Sequence, residues 1–262
     1  MTDVVERIRR ARVLELRLNR PEQLNALNGA VIDALESGVR AAGDDPTIAA
    51  VFVTANGRAF SAGADLVEAR EQVAFPAEFR QGLGRWRRAF RALESCPKPV
   101  IAILDGLAIA GGLELALSCD LIVASDRAKL GDGHIAYGLV PGGGGSRRLP
   151  DAIGARAARW LMYTGGTVDA HTAQALGLVQ HVVPAGELDV WTDTFAKNLS
   201  AQSAPALAFM KAMTASDRIT DERLHHEIEA AAHVVVGPDA QEGLAAFEQK
   251  RSPNFPSVLA AG

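Results

Sequence analysis

Cysteine is scarce in this chain, because Cys96 and Cys119 are the only two among 262 residues. Neither belongs to a CxxC pair or a Cys/His cluster, so the sequence gives no support to a disulfide framework or a zinc site. This usage fits a reducing compartment, and no metal is expected. With 48% hydrophobic residues, the chain has enough apolar side chains to bury a core without such crosslinks.

Long apolar runs and massed basic charge are also missing. No stretch of about 18 apolar residues exists to span a bilayer. The first twelve residues carry charges throughout and lack the apolar core of a secretory signal. Lysine and arginine are scattered and the formal net charge is -4, which leaves no electrostatic footprint for nucleic acid. We therefore expect a cytoplasmic protein that binds a small molecule, with neither nucleic acid nor membrane as a partner.

Short β-rich runs alternate with helical patterns in the first half of the chain. The predicted helix 26–42 spaces Leu27, Val31, Leu35 and Val39 four residues apart. The other predicted helix of this half covers 79–93, and the predicted strands are 12–18, 48–54, 99–104 and 120–124. The last three strands are almost continuously apolar, as is typical of strands buried on both faces. This alternation predicts an α/β class.

Beyond residue 144 the pattern is mostly helical. The predicted helices are 156–163, 187–200, 205–215, 221–236 and 240–250, and one strand is predicted at 179–183. Leu224, Ile228 and residues 231–236 form an apolar face, which either packs on its own domain or joins subunits.

Residues 58–65 (RAFSAGAD) form the first segment whose residues suit a binding or catalytic site. Residues 61–64 have little side-chain bulk, so a ligand can approach the main chain closely, with N–H groups pointing into a site and Asp65 near a helix start. The same residues also suit a tight strand-to-helix turn that binds nothing, because glycine-rich turns are common.

Residues 103–117 (ILDGLAIAGGLELAL) form the second segment. A buried strand runs into Gly111 and Gly112 at a helix start, where unpaired N–H groups and the helix dipole favour an anion. Glu114 follows in the first turn. One interpretation is a surface carboxylate that compensates the helix dipole. The other is a partly desolvated carboxylate between apolar flanks, with a pKa raised toward values useful for general acid/base work.

Residues 131–148 (GDGHIAYGLVPGGGGSRR) form the third segment. Four consecutive glycines precede a helix, but neither GxxxxGK nor a GxGxxG after a strand is present, so close backbone packing is favoured over a phosphate cradle. His134 is flanked by turn residues rather than by an apolar stripe. It is therefore either a site residue or a core histidine.

Two other catalytic motifs are absent from the sequence. His225, His226 and His233 share one predicted helix, but position 230 is alanine, so the HExxH spacing is not met and a solvated or interface face is favoured. No GxSxG elbow exists, which disfavours a serine hydrolase.

Together these segments resemble the crotonase (enoyl-CoA hydratase/isomerase) superfamily, in the family's order and over nearly the whole chain. The matching segments are LNRPEQLNALN (18–28), FSAGAD (60–65), AGGLEL (110–115), PGGGGSRRL (141–149) and EGLAAFEQKRSP (242–253). The resemblance implies a crotonase-like spiral of repeated ββα units over residues 1–200. It also implies a helical C-terminal oligomerisation region over residues 201–262, forming a homotrimer or a dimer of trimers.

The resemblance further implies that the backbone N–H groups of Ala64 and Gly111 bind the thioester oxygen of an acyl-CoA as it becomes enolate-like. CoA arrives as part of the substrate, and no separate cofactor is expected. Residues 75–86 are expected to line the acyl pocket, and Phe247 and Lys250 to reach CoA, with a neighbouring subunit as one source of that pair. The full set of expected substrate contacts is Gln23, Leu24, Ala26, Ser61, Ala62, Asp65, Leu66, Gly112, Pro141, Gly142, Phe247 and Lys250.

One position departs from the family's pattern. Glu114 matches the first of the two catalytic glutamates of family hydratases, but His134 occupies the loop position of the second, four residues before Gly138. An imidazole has an ordinary pKa of about 6.5 against about 4.3 for a glutamate, so it still exchanges protons near neutrality with a different geometry and charge.

The favoured activity is therefore a hydratase-type lyase that adds water to a 2-enoyl-CoA. Glu114 orients or deprotonates the water, and His134 completes proton delivery with Asp132 as its partner. Alternatives on the same scaffold are enoyl-CoA isomerisation, thioester hydrolysis and carbon–carbon bond cleavage. A relative without turnover, which binds acyl-CoA or serves as an RNA-binding or assembly subunit, is a further alternative, although the absence of a basic patch argues against RNA.

Overall fold

Strands in the middle of the chain alternate between two sheets in the computed structural model, which describes residues 3–73, 76–215 and 237–256. The large sheet has the order β1-β2-β3-β5-β7-β10 and the small sheet the order β4-β6-β8-β9. Neighbouring strands are parallel except for the pairs β1/β2 and β8/β9. The strands are β1 (Val5–Arg10), β2 (Val13–Leu18), β3 (Ala50–Ala55), β4 (Ala59–Ser61), β5 (Val100–Leu104), β6 (Leu107–Ile109), β7 (Leu121–Ser125), β8 (Lys129–Gly131), β9 (Thr167–Asp169) and β10 (His181–Val183).

Helices follow these strand pairs and then dominate the C-terminal part. In the described residues they are α1 (Gly29–Asp44), α2 (Leu66–Val73), α3 (Pro76–Ser95), α4 (Gly111–Ala116), α5 (Gly145–Ile153), α6 (Ala155–Thr164), α7 (Ala170–Ala175), α8 (Leu188–Ser200), α9 (Ala204–Thr214) and α10 (Pro238–Glu248). Single 3-10 turns occur at Pro21–Gln23, His134–Tyr137 and Ala185–Glu187.

The chain repeats one unit three times. β3 joins the large sheet, β4 joins the small sheet, and helices α2 and α3 follow. β5, β6 and α4 repeat this course, and so do β7, β8 and the helical segment after them. The α/β class and the ββα spiral expected from the sequence are confirmed.

The core lies on both faces of the large sheet. One face packs against α1, α3 and the small sheet, where Leu16, Phe60 and Phe90 are fully buried. The other face packs against α8, where the rings of Phe52 and Phe195 stack with centroids 5.7 Å apart. Burial on both faces explains why β3 and β5 have nearly continuous apolar sequences.

The predicted elements agree with the structure to within a few residues at their ends, with three kinds of exception. The expectation of one strand after residue 144 is wrong, because β9 precedes β10 there. The short strands β4, β6, β8 and β9 were not predicted, since three residues are too few to show an alternating pattern. Strand β1 and helix α7 were also missed, and α2 and α5 were expected only as helix starts, after Asp65 and after the glycine run, without bounds. The predicted helix 221–236, with Leu224, Ile228, His225, His226 and His233, lies outside the described residues. The domain boundary between residues 200 and 201 stays a prediction.

Within residues 3–73, 76–215 and 237–256, no helix has both the length and the apolar character needed to cross a membrane.

The small sheet brings three loops together. β4, β6 and β8 are neighbouring parallel strands that end at Ser61, Ile109 and Gly131. Parallel strands present their carboxyl ends at one edge of a sheet, which is where ligands bind in open α/β sheets. The loops that start at this edge contain Ala64, Gly111 and His134.

Candidate active site

Two backbone amides at this edge lie close together. A Cβ added to Gly111 would lie 3.4 Å from the nitrogen of Ala64, and one added to Gly63 would lie 3.1 Å from the nitrogen of Gly111. Within the described part of the chain, neither amide of this pair (Ala64 and Gly111) donates a hydrogen bond. Gly111 is the first residue of α4, where N–H groups have no acceptor inside the helix. Together these amides offer two donors to an oxygen of a ligand.

Ala110 sets the direction of this turn. Its backbone has φ 49° and ψ -122°, a left-handed conformation that is unfavourable for a residue with a Cβ. Such strain costs on the order of 1–3 kcal/mol and persists only where the surrounding structure enforces it. Here β6 ends one residue earlier and α4 begins one residue later. The strained residue therefore places the amide of Gly111 at the sheet edge.

Glu114 is buried in α4, with 2% of its surface exposed. Its Oε1 accepts hydrogen bonds of 2.8 Å from the backbone N–H groups of Gly143 and Gly145. Burial raises the pKa of the Glu114 carboxyl above its usual value, and these two hydrogen bonds and the nearby His134 oppose the rise only in part. Two interpretations of Glu114 were drawn from the sequence, and the structure shows the buried, desolvated carboxylate.

The glycine run is needed for that contact. A Cβ on Gly143 would lie 2.8 Å from Oε2 of Glu114 and 2.8 Å from Cε2 of Phe90, and one on Gly145 would lie 3.1 Å from Oε1 of Glu114. Only residues without side chains let this loop reach the carboxylate. Close backbone packing, the interpretation favoured from the sequence, is confirmed.

His134 faces the second oxygen of Glu114. Its Nε2 lies 3.9 Å from Oε2 of Glu114, and its Nδ1 lies 3.2 Å from Oδ1 of the buried Asp132. Burial works against the charged imidazolium, but the carboxylates of Asp132 and Glu114 outweigh it, so the pKa of His134 is raised above its usual value. The side chains of Glu114, His134 and Asp132 thus lie in a row near the two free N–H groups of the site.

A small cavity, called the inner cavity below, contains all four expected catalytic residues. It encloses about 130 Å³. Ala64, Gly111, Glu114 and His134 line one side of it. The remaining walls come from the expected contacts Asp65, Leu66 and Gly142, and from Leu27, Glu68, Ala69, Phe79, Gly82, Leu83, Trp86, Leu139, Val140 and Gly143. Four residues of the expected acyl segment 75–86 are therefore present, while residue 75 lies outside the described part.

A larger cavity of about 870 Å³, the outer cavity, adjoins it. Ala64, His134 and Leu139 line both cavities. Half of the twelve expected substrate contacts border the outer cavity: Gln23, Leu24, Ala26, Ala62, Asp65 and Leu66. The inner cavity is suited to a small reacting group, and the outer cavity to a longer carrier that leads to it.

Five expected contacts line neither cavity. Ser61 is fully buried, and its hydroxyl donates to the carbonyl oxygen of Asn25. A Cβ on Gly112 would lie 2.2 Å from the carbonyl oxygen of Ser61, so this glycine lets α4 approach β4. The other three are Pro141, Phe247 and Lys250. Phe247, on α10, is 84% exposed. Their roles toward CoA stay predictions.

Asp65 is held within the chain. Its Oδ2 lies 2.8 Å from a guanidinium nitrogen of Arg20, and its Oδ1 accepts from the N–H groups of Val67 and Glu68 at the start of α2. Burial alone would raise the pKa of the Asp65 carboxyl, but these partners lower it below its usual value. Asp65 therefore joins the 20–26 loop to α2 while it borders both cavities.

Sequence reasoning missed two residues of the site, Arg20 and Glu68. Arg20 lines the outer cavity and also donates to the carbonyl oxygen of Ala26, at 2.6 Å. Glu68 lines both cavities, and its carboxylate accepts from the N–H of Gly29 at the start of α1. Arg20 stood inside the first matching segment, which was the available signal, whereas Glu68 belongs to a helix without a motif. Trp86, the last residue of the expected acyl segment 75–86, lies against Gly111.

No group of three or more His, Cys, Asp or Glu side chains arranged to hold a metal ion occurs in the described ranges.

Comparison with known proteins gives one consistent family. Residues 9–257 match the family model described as "Enoyl-CoA hydratase/isomerase". The probable enoyl-CoA hydratase of Mycobacterium bovis is 39% identical over 259 residues, which is 97% of each chain. The crotonyl-CoA hydratase of Syntrophomonas wolfei is 35% identical over 92% of this chain and 93% of its own. A crystal structure of enoyl-CoA hydratase from Bacillus anthracis superposes with a TM-score of 0.90 at 32% identity, covering 97% of this chain and 99% of that one.

Proposed function

The chain belongs to the enoyl-CoA hydratase/isomerase family, and we propose that it adds water to a 2-enoyl-CoA with Glu114 and His134 as the proton-transfer pair. This is a family of enzymes, and the relatives named above are hydratases. One observation supports the residue roles above all. Glu114 has one carboxylate oxygen fixed by two backbone N–H groups and the other facing His134, beside two free amides in the same cavity.

Activation of the substrate begins at the two amides. The thioester oxygen accepts hydrogen bonds from the N–H groups of Ala64 and Gly111, which draws electrons from the C2–C3 double bond toward that oxygen. Donors aimed at a developing oxyanion are worth roughly 100 to 1000-fold in rate each. Such hydrogen bonds are stronger where little water surrounds the developing charge.

Proton transfer then completes the addition. A water oxygen bonds to C3 while Oε2 of Glu114 takes one proton from the water. The electron pair of the double bond passes to the thioester oxygen as an enolate. The protonated His134 gives its proton to C2 as the enolate collapses, and the product is a 3-hydroxyacyl-CoA. A buried carboxylate with a raised pKa is a competent base, and an imidazolium stabilised by Asp132 is a competent acid near neutrality.

Hydration of crotonyl-CoA in heavy-oxygen water tests the reaction. The proposal expects loss of the enoyl absorbance and mass spectra in which one heavy oxygen is bound to the acyl chain. A shifted double bond without added oxygen would instead indicate isomerisation. Free CoA would indicate thioester hydrolysis, and tight CoA-ester binding without any product would indicate a non-catalytic relative. Each of these three results would overturn the proposal.

The remaining expectations extend the same proposal. We propose assembly as a trimer or a dimer of trimers through residues 201–262, supported by the exposed apolar side chains of Met210 and Met213 on α9 and of Leu244 and Phe247 on α10. Location in the cytoplasm is supported by Cys96 and Cys119, which are both free thiols. CoA enters as part of the substrate, and the proposed chemistry needs no further cofactor.

A further inference from the structure

The loop that holds Glu114 has no side chains of its own to hold it in place. The N–H groups of Gly143 and Gly145 both donate to Oε1 of this carboxylate, at 2.8 Å. They belong to a run of four glycines, and glycine loses more conformational freedom on folding than any other residue. Two N–H groups of such a loop converge on one oxygen only where a further contact fixes the loop.

Arg148 makes that contact. It lies in the first turn of α5, which begins at Gly145, and its Nη1 donates a hydrogen bond of 2.6 Å to the carbonyl oxygen of Gly143. Gly143 is thus held on both sides, by Glu114 at its N–H and by Arg148 at its carbonyl. A Cβ on Gly144 would lie 2.1 Å from the same Nη1, so the guanidinium occupies the space that a side chain at position 144 would fill.

Glu94, near the end of α3, fixes the guanidinium in turn. Nε of Arg148 donates to Oε1 of Glu94, and the two side chains are only 19% and 24% exposed. Hydrogen bonds between charged partners are shorter and stronger than those between neutral groups. A guanidinium presents five N–H donors in fixed directions, so it can bind a carboxylate and a carbonyl at the same time. The other oxygen of Glu94 lies 2.7 Å from Nη1 of the exposed Arg91.

From these contacts we infer that Arg148 is a positioning residue for the proposed reaction. It ties the glycine loop to α3 through Glu94 and thereby keeps two N–H groups on Oε1 of Glu114. With Oε1 held, Oε2 stays directed at His134 and at the attacking water. This inference rests on the proposed hydration of a 2-enoyl-CoA, whose site it deepens.

Loss of the Arg148 contact should change the titration of Glu114. The two N–H groups donate to the charged carboxylate and lower its pKa against the effect of burial. A loop that no longer keeps them there leaves the pKa of Glu114 higher. The proposed mechanism uses Glu114 as a charged base, so activity is present above its pKa and lost as the pH falls through it. The acidic limb of kcat/KM should therefore move to higher pH.

Other ionisable groups also face Glu114. His134 lies 3.9 Å from its Oε2 and pairs with Asp132, and Asp65 and Glu68 line the same inner cavity. A substitution at position 148 changes none of these four groups. The N–H groups of the glycine loop are thus the contacts of Glu114 that such a substitution releases.

Arg148→Met in the full-length protein tests the inference. We expect kcat for crotonyl-CoA to fall by about 10 to 100-fold, with KM changed less than about two-fold, and the acidic limb to move to higher pH. Arg147→Met is the matched control, because it removes the same charge from an exposed residue in the same turn of α5. Its kcat and its acidic limb should equal those of the parent. An unmoved acidic limb in folded Arg148→Met, or a raised KM without a loss of kcat, would overturn the inference.

Circular dichroism establishes that each variant is folded. If Arg148→Met does not fold, Arg148→Lys replaces it. Lysine keeps the charge but lacks the planar fork that binds Glu94 and Gly143 together, so we expect the same directions with a smaller loss of kcat. Parental kinetics and an unmoved acidic limb in Arg148→Lys would then overturn the inference.

The titration of Glu114 can also be measured without turnover. Infrared difference spectra show the C=O stretch of a protonated carboxyl group, and the band of Glu114 is the one that is absent from Glu114→Gln. We expect this band to persist to higher pH in Arg148→Met than in the parent or in Arg147→Met. Equal titration in all three proteins would overturn the inference whatever their turnover. A parent that hydrates no enoyl-CoA would instead refute the hydratase proposal, and the infrared titration would still decide the role of Arg148.

Discussion

Nε2 of His134 lies 3.9 Å from Oε2 of Glu114, although Glu114 belongs to α4 after strand β6 and His134 to the 3-10 turn after strand β8. This separation is longer than a direct hydrogen bond. It suits two groups that act on one small molecule between them. The other oxygen of Glu114 is occupied by Gly143 and Gly145, so only Oε2 is available for chemistry.

Glu114→Gln should abolish most turnover and preserve the fold. The amide oxygen of glutamine can still accept from Gly143 and Gly145, but the side chain no longer takes a proton from water. We expect kcat for crotonyl-CoA to fall by about 100 to 10,000-fold, with substrate binding changed little. Steady-state kinetics and calorimetric titration of a CoA ester measure the two effects. A kcat within a few-fold of the parent would remove Glu114 from the mechanism.

Asp132→Asn should change the pH profile. The carboxylate of Asp132 raises the pKa of His134, and the proposed mechanism uses His134 in its protonated form. Activity is therefore present below the pKa of His134 and lost as the pH rises through it. Without the Asp132 charge that pKa falls, so the alkaline limb of kcat/KM moves to lower pH.

Asp189→Asn provides the control for this shift, because Asp189 is an exposed carboxylate on α8 that lines neither cavity. The alkaline limb of kcat/KM for the Asp189→Asn variant should stay at the pH of the parent. His134→Ala should remove the limb altogether. A limb that survives His134→Ala would show that a different group supplies the proton.

Local patterns were sufficient to find Glu114 and the turn before α4. The sequence there shows a buried strand, two glycines and an acid with apolar flanks, all within fifteen residues. The fold places Glu114 in α4 close to Gly111. A glycine-rich turn that follows a parallel strand has few alternative conformations.

These local patterns did not predict contacts between residues from distant segments of the chain. Gly143 and Gly145 contact Glu114 across about thirty residues of chain, and the glycine run predicted close packing without naming its target. Trp86 was expected only as the end of an acyl-pocket segment, and its contact with Gly111 depends on how α3 packs in the folded chain. Asp65 was expected at the substrate, but its carboxylate also pairs with Arg20, and only the tertiary arrangement reveals that contact.

Gly112→Ala should destabilise the protein strongly. Its Cβ would lie 2.2 Å from the carbonyl oxygen of Ser61, a backbone atom that cannot move without displacing β4. We expect the free energy of unfolding to fall by about 3 kcal/mol or more. Gly84→Ala is the matched change, because a Cβ at Gly84 in α3 meets nothing within 4 Å. It should stabilise the helix by about 0.5–1 kcal/mol. Thermal unfolding of both variants measures the contrast, and equal midpoints would contradict it.

Arg20→Met should weaken the protein most at neutral pH. Arg20 and Asp65 are both largely buried, so we expect a loss of about 1–2 kcal/mol in the free energy of unfolding at pH 7. Because the folded pKa of Asp65 is lowered, its stabilising contribution is complete above the unfolded value of about 3.9 and is lost as the pH falls through the folded value. Urea unfolding at pH 7 and near pH 3 should therefore show a smaller difference between parent and variant at the acidic pH. Arg40→Met removes an exposed partner of Glu36 and should cost less than about 0.5 kcal/mol at either pH. A difference for Arg20→Met that is independent of pH would mean that its hydrogen bond to Ala26, rather than the pair with Asp65, stabilises this edge of the outer cavity.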